Sequence, residues 1–288
     1  SQALVAHPLV QVISFTGSTN TGRSIGAEAA RLGKKVSLEM GGKNAIIVMD
    51  DANLDLALEA TLWAAFGTTG QRCTAASRLI IQRKVHRQFV DRLLDRTRQL
   101  RLGDGLNPKV DVGPLINQVA LTKVSGYVEI GKQEGAHAIV GGNVHSNGGK
   151  GFFYEPTLFD QVTPSMRVAQ EEIFGPVLSI IEFDRLDEAI KINNNTLYGL
   201  STSIFTENVN DAFRSMRDIN SGIVYINHGT TGAEIQFPFG GTRGTGNGHR
   251  EAGQVGIDVF TEWKAIYVDY SGKLQRAQID QSGFGVAE

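Results

Sequence analysis

The chain has 288 residues, of which 41% are hydrophobic and 20% charged, as expected for a globular protein of one large or two ordinary domains. A net charge of -2 excludes a strongly basic surface, so we expect neither nucleic acid nor an anionic membrane as partner. No apolar run approaches the roughly 18 residues of a membrane span, and the six histidines show no metal-ligand spacing. A single cysteine fits a reducing compartment, which predicts a cytoplasmic location.

Strand-like and helix-like segments alternate along most of the chain. Short apolar, β-branched runs predict strands over 10–15, 35–38, 45–49, 79–82, 152–159, 177–183, 200–205 and 222–227. Helices are predicted over 21–32, from 54 towards 70, and over 86–102, 117–134, 186–194 and 209–218. This alternation predicts an α/β fold with a largely parallel sheet, whose functional residues should follow the carboxyl ends of strands.

The helix that begins after Asn53 has the clearest pattern. Asn53 offers a capping oxygen, and Leu54, Leu58 and Leu62 recur every four residues on one helical face. We expect this helix to deliver Cys73, the only cysteine, just after its end.

The tail has a different pattern. Residues 262–270 alternate and are rich in β-branched and aromatic side chains, which predicts one long strand with no later partner in the sequence. Because an unpaired strand edge tends to pair with another chain, we expect an oligomerisation strand and a homodimer or homotetramer.

Two residues suggest covalent catalysis. Cys73 lies in the sequence GQRCT, and Glu39 lies in LEMGG, so that each is close to glycine. A lone cysteine is usually a small buried hydrophobe, and a glutamate at a strand end is usually unremarkable. The alternative is a thiol nucleophile with a carboxylate that takes a proton from water.

Three further motifs allow two interpretations each. The FTGS turn at 15–18 is either a tight βα turn or an anion site at a helix N-terminus. The EEIFGPV segment at 171–177 is either a solvated turn or a carboxylate for ribose hydroxyls beside a ring for a planar cofactor. The PFGG segment at 238–241, followed by the glycine-rich 244–251, is either a mobile loop or part of a site.

Taken in order, FTGS, LEMGG, GQRCT, EEIFGPV and PFGG resemble the aldehyde dehydrogenase superfamily. The resemblance runs from about residue 10 to 268 and covers roughly the C-terminal three-fifths of the family pattern. The sequences GQRCT and 232–234 are most similar to antiquitin-type and semialdehyde-oxidising members.

The resemblance implies NAD(P)-dependent oxidation of an aldehyde, with a semialdehyde as one candidate, to the carboxylic acid through a thiohemiacetal and a thioester. It makes Cys73 the nucleophile and Glu39 the general base. The cofactor-binding residues that it implies are Gly17, Ser18, Leu38, Gly41, Glu172 and Phe174. The substrate-lining residues are Arg72, Thr74, Gly232, Ala233 and Phe239. NAD is the expected cofactor, and NADP stays open.

The resemblance also implies a division of the chain. Residues 1–41 would end a Rossmann-like cofactor domain, 42–242 form the catalytic domain, 243–260 return to the cofactor domain, and 261–288 hold the oligomerisation strand and tail. Since the first cofactor strands are not matched, we expect a fragment that alone binds NAD weakly and has little dehydrogenase activity. Two alternatives remain: a non-enzymatic structural relative, and a coenzyme A-acylating dehydrogenase, against which the water-activating role of Glu39 argues.

Overall fold

The computed structural model of the chain describes residues 2–146 and 151–272. Its helices are α1 (Gln2–Ala6), α2 (Thr19–Arg31), α3 (Leu54–Phe66), α4 (Arg83–Arg98), α5 (Gln118–Gln133), α6 (Arg167–Gln170), α7 (Leu186–Asn194) and α8 (Val209–Asp218). Its strands are β1 (Val12–Thr16), β2 (Lys35–Glu39), β3 (Asn44–Val48), β4 (Ala76–Gln82), β5 (His137–Val140), β6 (Val144–His145), β7 (Phe153–Tyr154), β8 (Thr157–Asp160), β9 (Val177–Phe183), β10 (Ser201–Phe205) and β11 (Ile223–Ile226).

Within these ranges the strands form one large sheet and two small ones. The large sheet has seven strands in the order β11-β10-β3-β4-β9-β8-β5, and all neighbours are parallel except the edge pair β5 and β8. A separate parallel pair joins β1 to β2, and β6 pairs with β7. The predicted α/β fold with a largely parallel sheet is therefore confirmed.

The central strands have helices on both faces, which explains why they read as continuous apolar runs. Every residue of β3 is buried, and Ile46, Ile47 and Ile80 are fully inaccessible to solvent. Burying each such side chain contributes about 1.5–3 kcal/mol to folding. The central sheet is thus a rigid base for the loops at its ends.

The predicted helix after Asn53 is confirmed as α3. The Asn53 side chain accepts a hydrogen bond from the Leu56 N–H at 3.1 Å, so it caps the first turn as expected. The helix ends at Phe66, and residues 67–72 form turns that lead to Cys73.

Some predicted boundaries are wrong for local reasons. The strand predicted over 152–159 is two strands, because Pro156 lies between β7 and β8 and cannot donate a ladder hydrogen bond. The helix predicted from residue 86 begins at Arg83, directly after β4. The short helices α1 and α6 and the edge strand β5 were not predicted, since each has few residues and little periodicity.

The strand predicted over 262–270 is not formed in the single chain. Residues 262–270 lack regular secondary structure, and the side chains of Trp263, Tyr267 and Tyr270 are more than nine-tenths exposed. Strand structure needs a backbone partner, and none of the described residues supplies one. Residues 273–288 of the predicted tail lie outside the described ranges.

None of the helices in the described part of the chain is both long and apolar enough to cross a lipid bilayer.

Candidate active site

Cys73 is a free thiol in the loop between α3 and β4, where it is half-buried and opens into a cavity. Burial raises the pKa of the thiol, and the nearby charge of Glu39 raises it further. The backbone N–H groups of Thr74 and Cys73 act in the opposite direction, because they donate towards the sulfur and favour the thiolate. A thiol in this position is accessible and has amide donors beside it, unlike an inert core cysteine.

Glu39 ends β2 and is almost completely buried, with 2% of its surface exposed. Neither carboxylate oxygen has a hydrogen-bond partner among the described residues. The carboxylate packs against the PFGG segment, since a Cβ atom at Gly240 would lie 2.6 Å from its Oε1. Burial raises the pKa of Glu39 to about 8, Glu251 raises it by charge repulsion, and Arg250 opposes both. Such a carboxyl group can exchange a proton with water near neutral pH.

Glu172 lies in the loop between α6 and β9 and faces the glycine pair that follows Glu39. Its Oε1 accepts a hydrogen bond from the Gly42 N–H at 2.9 Å. A Cβ atom added at Gly41 would collide with the Glu172 carboxylate, so glycine is required for this close approach. The loop therefore holds a fixed carboxylate next to the glycine pair that connects β2 to β3.

Gly17 and Ser18 connect β1 to the N-terminus of α2. The Ser18 hydroxyl caps this helix by accepting from the Thr21 N–H at 3.3 Å. The Gly17 N–H donates to the Glu39 carbonyl at 3.0 Å, which ties the turn to the end of β2. The positive end of the α2 dipole consequently faces the same region as Cys73 and Glu172.

One cavity of about 470 Å³ brings these parts together. Six residues predicted from the sequence line it: Gly17, Ser18, Gly41, Cys73, Glu172 and Phe174. Phe174 has a positive φ of 62° and is 41% exposed, so its ring stands open to solvent. The cavity is large enough for a small-molecule ligand.

The other predicted cofactor residue, Leu38, does not reach this cavity. It is buried, and a Cβ atom at Gly26 would lie 3.0 Å from its Cδ1, which places the side chain under α2. Its N–H donates to the Asn247 side chain at 3.0 Å. Leu38 therefore contacts the supporting structure.

The predicted substrate-lining residues are divided between three places. Arg72 is exposed and borders a small space with Gly42, Glu172 and Phe174. Thr74 is buried behind Cys73. The remaining residues, Gly232, Ala233 and Phe239, line a separate cavity of about 340 Å³ beside β11.

Several residues at the site were missed by sequence reasoning. The N-terminal part of α5 closes the cavity with Asn117, Val119, Ala120 and Lys123, and Met40 adds a thioether. Glu251 lies in the predicted glycine-rich segment 244–251, but its charge repulsion with Glu39 was not predicted. The α5 positions carry no local signal, because their role comes from packing between distant segments.

The site does not follow the expected strand-end rule throughout. Glu39 ends β2 and Gly17 directly follows β1, as predicted, but Cys73 precedes the amino end of β4. The site thus lies where the small parallel pair of β1 and β2 meets the amino edge of the large sheet.

A larger cavity, about 740 Å³, lies beyond the carboxyl ends of β4, β8 and β9. It includes His86, whose ring contacts Asp160 at 3.0 Å, but neither Cys73 nor Glu39.

Comparison with known proteins identifies the family of the chain. Residues 1–266 match the model of the aldehyde dehydrogenase family. The chain belongs to the aldehyde dehydrogenase family.

Similar proteins support the family assignment. An alpha-ketoglutaric semialdehyde dehydrogenase of Bacillus subtilis (strain 168) is 44% identical over 269 residues, which are 93% of this chain and 55% of that protein. The crystal structure of an NAD-dependent aldehyde dehydrogenase from Sinorhizobium meliloti superposes with a TM-score of 0.92 at 36% identity, over 96% of this chain and 54% of the other. Betaine aldehyde dehydrogenase from Staphylococcus aureus in complex with NAD+ gives a TM-score of 0.86 at 35% identity, over 88% of this chain and 50% of the other.

The predicted family is thereby confirmed, and semialdehyde dehydrogenases are among the relatives. The chain spans about half the length of the relatives that it matches.

Proposed function

We propose that this chain carries the thiol and carboxylate with which an NAD-dependent aldehyde dehydrogenase oxidises an aldehyde to the carboxylic acid. One observation supports this most strongly: Cys73 opens into the same cavity as Gly17, Ser18 and Glu172, while the buried carboxylate of Glu39 lies close enough to influence the thiol. The nucleophile, the base and a ligand-sized space thus coincide.

The residues around the cavity fit a dinucleotide. The N-terminus of α2 with Gly17 and Ser18 suits a pyrophosphate, and the Glu172 carboxylate suits the two hydroxyls of a ribose. Phe174 offers an exposed ring at the cavity wall. When bound, NAD would supply the two-electron oxidant that converts a thiohemiacetal into a thioester.

The protein groups account for the remaining chemistry. The Cys73 thiolate would attack the aldehyde carbon to form a thiohemiacetal, and the backbone N–H of Cys73 would be one donor to the oxyanion. After oxidation, Glu39 would take a proton from a water that attacks the thioester, and the thiolate would leave with the acid released. A base that takes a proton from water favours water over coenzyme A as acceptor, and the Glu39 carboxylate has no other hydrogen-bond partner among the described residues.

Acyl transfer through Cys73 tests this proposal without any cofactor. An activated ester such as p-nitrophenyl acetate should acylate the thiol with a burst of nitrophenol, and water should then release acetate. Addition of coenzyme A should leave the turnover rate unchanged. A chain that is never acylated at Cys73 would contradict the proposal and favour a structural role.

We further propose the division into residues 1–41, 42–242, 243–260 and 261–288 with the roles expected above. The pairing of β1 with β2 apart from the large sheet supports the first boundary, and the backbone bridges of Glu39 with Gly246 and of Phe239 with Glu251 support the return segment. Limited proteolysis that cuts first inside 42–242, and spares both boundaries near 42 and 260, would contradict this division.

We propose a semialdehyde as the substrate class, because Arg72 is an exposed cation next to Cys73 and a similar protein is named for alpha-ketoglutaric semialdehyde. The terminal carboxylate of such a substrate could pair with the guanidinium.

An ω-carboxylated aldehyde bound at the site should protect Cys73 from alkylation by iodoacetamide. Replacing Arg72 with Met is expected to weaken this protection about fivefold, the scale of one exposed charge pair.

The matched control for this prediction is Arg98→Met, which removes an exposed arginine from the C-terminal end of α4. It should leave protection unchanged, and an uncharged aldehyde of equal length should protect both variants equally. If Arg72→Met affects both aldehydes alike, the carboxylate contact is refuted.

We also propose that residues 261–270 pair with a second copy of this chain. Their sequence has the alternating pattern of a strand and is rich in aromatic residues. In the single chain these residues are exposed, with Ile266 at 72% and Val268 at 67% exposure.

Replacing Ile266 with Lys is expected to convert a dimer or tetramer to monomer in sedimentation equilibrium, because a charge opposes burial at an interface. The control Val209→Lys alters an exposed apolar residue on α8 and should keep the assembly. A wild-type monomer at micromolar concentration would rule the proposal out.

For the compartment we propose the cytoplasm, because a nucleophilic thiol has to stay reduced. Recovery of a tagged chain solely from an oxidising compartment would contradict this.

A further inference from the structure

The loop that carries Cys73 is held from behind by a chain of buried hydrogen bonds. Its members are Asn44, Ser201 and Thr230, which come from the start of β3, the start of β10 and the loop after β11. Their exposed fractions are 3%, 1% and 0%. Since buried polar groups contribute most when every donor and acceptor is paired, such a chain holds its members in one arrangement.

Asn44 makes the central contacts. Its Nδ2 donates to the Cys73 carbonyl at 2.6 Å and to the Ala75 carbonyl at 2.9 Å. Its Oδ1 accepts from the Ser201 N–H at 3.0 Å. One side-chain amide thereby connects β3, β10 and both sides of residue 74.

Thr230 holds the next peptide unit, between Thr74 and Ala75. The Ser201 hydroxyl donates to the Thr230 carbonyl at 2.9 Å, and the Thr230 hydroxyl donates to the Thr74 carbonyl at 2.8 Å. The carbonyl groups of Cys73 and Thr74 are therefore both fixed, each by a different buried side chain.

These contacts determine the direction of one amide. The Cys73 carbonyl and the Thr74 N–H belong to a single trans peptide, in which they point in opposite directions. Holding the carbonyl towards Asn44 accordingly turns the N–H away from β3. The Thr74 N–H is one of the two backbone groups that favour the Cys73 thiolate.

We propose that Asn44 and Thr230 are positioning residues, which hold the carbonyl groups on either side of the Thr74 N–H so that this N–H stays directed at the sulfur. Neither residue lines the cavity into which Cys73 opens. The inference rests on the proposed role of Cys73, which it deepens by naming what orients the nucleophile. It also explains why Thr74 is buried behind the site.

The pH profile of Cys73 alkylation by iodoacetamide tests the inference, measured on the full chain from pH 6 to about pH 11 because burial already raises the pKa of the thiol. Thr230→Val removes one hydrogen bond at nearly constant volume, and Asn44→Ala removes three. We expect the midpoint of the pH profile to rise by about 0.5–1 pH unit, so that alkylation at pH 7 slows about three- to tenfold. Asn44→Ala should have the larger effect, and Thr230→Ser should restore the wild-type profile.

The matched control is Thr97→Val in α4, where a buried hydroxyl also donates to a backbone carbonyl, that of Leu93, at 2.7 Å. This variant should lose stability comparable to Thr230→Val yet keep the wild-type midpoint. If Thr230→Val folds and its midpoint equals that of the control, the inference is wrong even when Asn44→Ala fails to fold.

The outcome is independent of the proposed function. Alkylation reports on the thiolate whether or not acyl groups turn over at Cys73. If the wild-type chain shows no acyl transfer but the variants show shifted alkylation midpoints, the proposed function is refuted and the positioning role is retained.

Discussion

Replacing Glu39 with Gln is expected to leave the acylation of Cys73 intact and to slow hydrolysis of the acyl-enzyme about 10²–10⁴-fold, the usual contribution of a general base. Glutamine has nearly the shape of glutamate but cannot take a proton from the attacking water. In a reaction with p-nitrophenyl acetate, the burst should persist while the later steady rate nearly vanishes. Mass spectrometry should then show the acetylated chain accumulating.

The pH dependence provides a second check on Glu39. Because burial raises the pKa of this carboxyl to about 8, the group is mostly protonated at pH 7 and gains its charge as the pH rises through 8. Only the carboxylate can act as the base, so the deacylation rate should rise up to about pH 8 and then level off. The Gln variant should lack this inflection.

The same shift opposes stability at alkaline pH. The folded chain retains a proton that the unfolded chain releases near 4.5, so the free energy of unfolding should fall as the pH rises from about 4.5 to about 8. The Gln variant should therefore show a flatter stability profile in this range.

Glu207→Gln, at an exposed position, is the matched control and should behave as wild type in all these measurements. If Glu39→Gln hydrolyses the acyl-enzyme at the wild-type rate, Glu39 is not the base.

Replacing Cys73 with Ser is expected to abolish the burst and to reduce ester turnover about 10³-fold or more, as found when a covalent nucleophile is removed from a hydrolytic site. A serine hydroxyl is far less nucleophilic than a thiol at neutral pH unless a dedicated base activates it. Removal of the thiol should barely affect folding, because the residue is half-buried and the substitution nearly isosteric.

Alkylation of the wild-type protein provides a control for the Cys73→Ser variant. Cys73 is the only cysteine, so wild-type protein alkylated by iodoacetamide carries its label at this position alone. The alkylated protein and Cys73→Ser should be equally inactive with the same melting temperature. A burst that survives both treatments would place the nucleophile elsewhere.

Much of the fold could be predicted because it depends on short-range patterns. The period of the apolar residues identified α3 and its cap, and the β-branched runs located β3, β9 and β10 to within a residue or two. The errors occur where a neighbour decides: Pro156 divides a predicted strand, and residues 262–270 have no partner strand in the single chain.

The candidate site also combines residues that local sequence identifies with residues whose orientation depends on distant segments. Local sequence was enough to select Cys73, Glu39, Gly17, Ser18, Glu172 and Phe174 as a group, because their motifs resemble those of one family in one order. Leu38 and Thr74, which the same resemblance implies, are buried and do not line the cavity. The side on which a residue faces depends on segments far away in sequence, as the contact of Thr74 with Thr230 shows.

The sequence by itself determined the residue types, the alternation of strands and helices and the family, because each is encoded in contiguous residues. Only the tertiary structure decided how the thiol is held and how the carboxylate titrates. The burial of Glu39, its repulsion by Glu251 and the hydrogen bonds of Asn44 all join positions distant along the chain. Desolvation and hydrogen-bond geometry arise when these segments pack together, and no local pattern records them.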